Sequence, residues 1–85
     1  MPTLGKSTAS YGVWDAFAIT PNDSADLTGG PTRGLYLGVS GDVACVMSGG
    51  TTVTMVGLAA GVWHPIQAQR VLVTGTTATS ILGGR

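Results

Sequence analysis

From Val13 onward the chain alternates short runs of β-branched and aliphatic residues with turns containing glycine, and this two-residue rhythm predicts strands. Residues 13–20 (VWDAFAIT) form the first candidate strand, with Val13, Asp15, Phe17 and Ile19 on one face and Trp14, Ala16 and Ala18 on the other. Gly34 to Thr74 reads as a meander. Leu35, Leu37 and Val39 alternate with Tyr36 and Gly38, and Ser40-Gly41 makes a two-residue turn. Val43, Cys45 and Met47 alternate with Ala44 and Val46, and Ser48-Gly49-Gly50 closes the next hairpin. Thr52, Thr54 and Val56 alternate with Val53 and Met55 up to Leu58, and Ala59-Ala60-Gly61 turns the chain again. The longest run, Val62 to Thr74, contains Pro65. Proline removes a ladder donor, which predicts an edge position, a bulge or a split there. Gly75-Thr76-Thr77 leads to a last short strand from Thr79 to Leu82. About six strands with tight turns predict an all-β fold, a small antiparallel β-sandwich or barrel.

Two stretches break the rhythm. Residues 1–12 (MPTLGKSTASYG) have no period and predict an extended N-terminal arm, ordered only where a neighbour receives it. The remainder, 13–85, reads as a single β-domain. Within it, residues 21–33 (PNDSADLTGGPTR) form a loop long for so small a domain, and loops of that length tend to carry a task.

Composition sharpens this picture. Glycine is frequent, with 14 residues, and Glu is absent, so helix formers are scarce. Charged residues make up 9% of the chain and the net charge is zero. A free-standing domain ordinarily carries about 25–35% charge on its surface and avoids neutrality. Charge is depleted at interfaces, so much of this surface is expected to be covered by other protein, first of all by copies of the chain itself. Four dispersed basic residues argue against nucleic acid as a partner. The aliphatic runs are far shorter than the ~20 residues of a spanning helix, which argues against a membrane. The N-terminus lacks the basic start and apolar core of a signal peptide, and a lone cysteine gives no hint of an oxidising compartment, so synthesis in the cytoplasm of the producing cell is expected. A single cysteine excludes an internal disulfide as the support that so short a chain needs.

Candidate chemistry changes little. Gly5-Lys6-Ser7 has neither the strand before it nor the helix behind it that a P-loop requires. His64 is the sole histidine, and no nucleophile elbow accompanies it. Beside Trp63 and Pro65 it is most simply a strand-end residue, so no catalytic residue is assigned and the chain is not expected to be an enzyme. One histidine and one cysteine make no transition-metal site. Asn22, Asp23 and Asp26 carry oxygens suited to calcium, but Asx residues after Pro21 are ordinary turn formers, and no metal or cofactor is expected. Trp14, Tyr36 and Trp63 suit either a subunit interface or stacking on a sugar ring, so a carbohydrate-binding module stands as an alternative. Cys45, flanked by Ala44 and Val46, reads as a small core hydrophobe.

From Ile19 the chain runs I-T-P-N-D-S-A-D-L, P-T-R-G-L-Y-L-G, G-D-V, S-G-G-T-T-V-T, G-L-A-A-G, H-P-I-Q-A-Q-R-V and T-G-T-T-A-T-S-I. This ordered series, over about residues 17–83, resembles the small spike-base proteins of alphaproteobacterial gene transfer agents and related tailed phages. Family members often have Leu-Pro-Ile where this chain has Trp63-His64-Pro65-Ile66. The resemblance implies a structural protein of the virion, the homo-oligomeric base of a head spike on a capsid vertex. A pentamer is favoured and a trimer is possible, with the capsid protein and a spike fibre protein as partners. A capsid decoration or tail-tip protein is the structural alternative. Arg33 and Arg70 lie in the matching blocks, and Arg33 is expected to anchor the 21–33 loop through Asp23 or Asp26 of the same or a neighbouring copy. The interface candidates are therefore Arg33, Arg70, Tyr36, Trp14, Trp63, Asp23 and Asp26.

Overall fold

The computed structural model describes residues 15–85, so the arm 1–12 and the first two residues of the first candidate strand, Val13 and Trp14, lie outside the described residues. Seven strands follow in order: β1 (Ala16–Ala18), β2 (Gly34–Val39), β3 (Gly41–Met47), β4 (Thr52–Leu58), β5 (Trp63–His64), β6 (Ala68–Val71) and β7 (Thr79–Gly84). They make two antiparallel sheets, one ordered β1-β7-β2-β5 and the other β4-β3-β6. The architecture is a β-sandwich rather than a closed barrel.

The expected meander is instead folded back and forth between the sheets. Ser48-Gly49-Gly50 does close a hairpin, β3 onto β4. Ser40-Gly41 does not: β2 and β3 belong to different sheets, so the chain arches across the core there. Both strands bury an apolar row, Leu35 and Leu37 on β2 and Val43 and Cys45 on β3. Such rows are covered as well by face-to-face packing as by lying side by side in one sheet. Gly41 makes the arch possible, because a Cβ there would lie 2.8 Å from Ala78 N and from Thr77 Oγ1. Ala59-Ala60-Gly61 is a second crossing. The run containing Pro65 is split in two, with β5 at the edge of one sheet and β6 at the edge of the other, which raises the strand count from six to seven.

The core lies between the sheets. Leu35, Leu37, Val43 and Cys45 are fully buried and Val71 is nearly so, joined by Ile19, Ile66, Ala68, Ala78 and Ile81. Each large aliphatic side chain so placed contributes about 1.5–3 kcal/mol. Phe17 packs against this cluster from β1. It lies so close to β7 that a Cβ at Gly83 would sit 2.7 Å from its ring. Val39 continues the β2 alternation but is 52% exposed, because the strand outruns the core.

Leu37→Ala is expected to lower the unfolding free energy by about 2–5 kcal/mol in urea titrations. Val56→Ala, at a position 77% exposed, is expected to change it by no more than ~0.5 kcal/mol.

Candidate interaction surfaces

Each sheet of a sandwich leaves two edges whose backbone groups need partners, and the long loop 21–33 deals with one of them. It runs beside β6 on the side away from β3. Asn22 N–H donates to Val71 O at 2.8 Å, Leu27 N–H to Gln69 O at 2.8 Å, and Thr32 N–H to Ala68 O at 3.0 Å. Thr32 is a polar residue inside the core, 1% exposed. Its hydroxyl donates to Ile66 O at 2.8 Å and accepts from Ala68 N–H at 3.1 Å. The loop therefore takes the place of a fourth strand in the smaller sheet. Asn22 shapes its start, its side-chain oxygen accepting from the N–H groups of Ser24 and Ala25 at 2.8 and 3.0 Å.

The charged candidates fall on this loop and the strand it covers. Asp23 Oδ1 accepts from Val73 N–H at 2.7 Å and Thr74 N–H at 3.1 Å, and Oδ2 accepts from the Thr74 hydroxyl at 2.8 Å. The Thr74 backbone N–H and then the Thr74 hydroxyl hold the Asp23 carboxyl below its ordinary 3.8, with desolvation opposing them and the Val73 N–H adding a smaller lowering. Asp26 pairs with Arg70, whose Nε and Nη2 lie 2.9 and 2.8 Å from Oδ1. Arg70, a charged candidate of the matching blocks, thus meets a carboxylate of the loop within the chain. Arg33 ties the loop's end to the other sheet through its backbone, N–H to Gly84 O at 2.7 Å. Arg70 lies on the strand alongside which Asp23 and Asp26 run.

Arg85 was not among the sequence candidates, yet it fastens the same loop. Its guanidinium stacks 4.2 Å from the centroid of the Phe17 ring and donates to Thr28 O at 2.6 Å and Gly30 O at 2.9 Å. A terminal arginine 55 residues away from Gly30 carries no local signal for this contact. Between β1 and the loop lies an open cleft of about 350 Å³, with Phe17, Ile19, Leu27 and Val71 among its lining.

The other side of the sandwich is less protected. Tyr36 and Trp63 face each other across the β2–β5 pair, ring centroids 5.4 Å apart and planes tilted by 51°. Trp63 is 41% exposed. Trp14, the third aromatic candidate, lies outside the described residues. His64 ends β5 as expected, its Nε2 2.8 Å from Ala59 O. Cys45 is fully buried, and that burial pushes its thiol pKa up. Among the described residues Val39, Val56, Val62 and Val73 are also exposed. Among the described residues no helix is long and apolar enough to cross a membrane.

Searches with family models and against curated protein sequences return no match. Among solved structures, a chain of a capsid of a native gene transfer agent particle, computed with C5 symmetry, matches with a TM-score of 0.78 and 31% sequence identity. The match covers 99% of this chain and 100% of that one.

Thr32→Val is expected to destabilise the fold by about 1–3 kcal/mol in chemical denaturation, because it leaves the Ile66 carbonyl and the Ala68 N–H without their hydroxyl partner. Ionised Asp23 stabilises the native state above its unfolded pKa, and that contribution is lost as pH falls through the lowered native value. Asp23→Ala should therefore melt below the parent protein at pH 6, and the gap should narrow as pH falls below 3.8.

Proposed function

Because this chain belongs to the gene transfer agent and phage structural-protein family, we propose that it is the homo-oligomeric base of a head spike, seated on a capsid vertex and carrying a fibre protein. The observation that carries the reading is the end-to-end match at 31% identity to a chain of a capsid structure computed with fivefold symmetry. That symmetry favours a ring of five around a vertex. The chemistry of the surface supports the same reading. Charge is sparse at 9% of residues, and exposed Val56, Val62 and Trp63 on the β4–β5 side suit burial against protein. Asp23, Asp26 and Arg70 serve this assembly by holding the loop in shape, and the Tyr36–Trp63 pair offers an aromatic anchor of the kind that dominates interface energetics. The protein is a component of the virion surface, with the capsid protein beneath it.

Native mass spectrometry of the purified chain, followed by cryo-electron microscopy of particles, tests this. A discrete pentamer and density on fivefold vertices are expected. A trimer located on threefold positions would replace the spike base with a capsid decoration protein. Binding of a sugar with quenching of Trp63 fluorescence by a monomer would replace it with a carbohydrate-binding module.

A further inference from the structure

The two edges of the smaller sheet are treated in opposite ways. The β6 edge is sealed by the loop 21–33. The β4 edge is seven residues long, TVTMVGL, with no charge and no proline, and among the described residues no strand pairs with its outer side. Long uncharged edges are templates for strand addition, and proteins that remain free in solution blunt them with lysine, proline or a covering segment.

The backbone of β4 presents its hydrogen-bonding groups outward at Thr54. Ala44, the residue opposite Thr54 on β3, turns its own backbone toward β6. Its carbonyl accepts from Leu72 N–H and its N–H donates to Thr76 Oγ1, at 2.8 and 2.9 Å. Ala44 and Thr54 are thus a non-hydrogen-bonded pair, and the alternation of an antiparallel ladder points the Thr54 N–H and C=O away from the sheet. Its side chain is exposed, while those of Val53 and Met55 pack against the core.

We propose that the outer edge of β4 receives residues 1–14 of a neighbouring copy as an added strand. This rests on the homo-oligomer reading and identifies its contact. Three observations select the occupant. Fourteen residues precede Asp15, and at ~3.3 Å each they extend ~46 Å, about twice the ~23 Å of β4. Pro2 stands at their beginning, so residues 3–14 have a backbone N–H at every position, and Lys6 is their one charged side chain. The arm also leaves from the correct place. β1 shares its cleft with Leu27 and Val71, on the β6 side of the sandwich. β4 lies on the opposite side, with β5, joined through Ala59 O and His64 Nε2. In a cyclic ring each copy sets one side against the opposite side of the next. The arm of one copy is thereby brought to the open β4 edge of its neighbour, whereas its own β4 lies across the sandwich.

The test uses full-length protein. A photo-crosslinking residue at Thr54 in isotopically heavy protein, mixed and reassembled with light protein, is expected to capture peptides from residues 1–14 of the light copy. In the assembled state the Thr54 amide is expected to exchange at least ~100-fold more slowly than in dilute monomer. Thr54→Pro, which removes the outward donor but no bond to β3, is expected to abolish the assembly, and Val56→Lys, which places a charge on the edge, is expected to abolish both the Thr54 protection and the assembly. An oligomer whose Thr54 crosslinks reach another β4, the fibre or capsid protein, or the arm of the same copy overturns the arm assignment and leaves the ring reading standing. So does an oligomer with fast exchange at Thr54. A chain monomeric both free and on particles overturns the ring reading and the arm with it.

Discussion

Four open sheet edges on a sandwich of this size set the terms for everything else in the structure. Buried or apolar-flanked backbone groups must find partners, and the molecule has few charges with which to discourage the wrong ones. One edge, β6, is closed by threading the loop 21–33 along it and placing Thr32 in the core to bridge Ile66 and Ala68. β1 and β5 are only three and two residues long, too short to template much pairing. Among the described residues, β4 alone is a long edge strand without charge or a pairing strand on its outer side.

Among the described residues, Asp23, Asp26, Asp42, Arg70 and Arg85 are used inside the chain to hold that arrangement. Asp23 and Asp26 bind the loop to Thr74 and Arg70, and Arg85 clasps its far end between Phe17 and two carbonyls. Asp42 accepts the Gly57 N–H at 2.9 Å, where the β3–β4 register shifts. The Asp26–Arg70 pair is partly exposed, 51% and 28% for its two side chains, and in that setting an ion pair contributes at most ~1 kcal/mol. Its importance is positional, since it keeps the loop in register with β6.

How far the sequence was legible depended on the range of the interaction. Alternation located β2, β3, β4 and β7 and put Leu35, Leu37, Val43 and Cys45 inside; Pro65 announced the break between β5 and β6. His64 at a strand end and Cys45 in the core also followed from their neighbours. Sheet membership did not. Ser40-Gly41 looks locally like a hairpin turn, and only the opposing apolar rows of β2 and β3 make it an arch. Arg85 reaches Thr28 and Gly30 because the end of β7 pairs with the start of β2, into which the loop leads.

By itself, then, the sequence determined that this is an all-β chain, where its strands and its long loop fall, and that its charge-poor surface suits association. These follow from period, glycine placement and composition, which act over a few residues or over none in particular. Which strands share a sheet, which strand the loop runs beside, and that Arg85 reaches the loop were decided by the tertiary structure alone. Each depends on a contact between residues tens of positions apart, and the pleat of a strand records which face is apolar but not which partner will cover it.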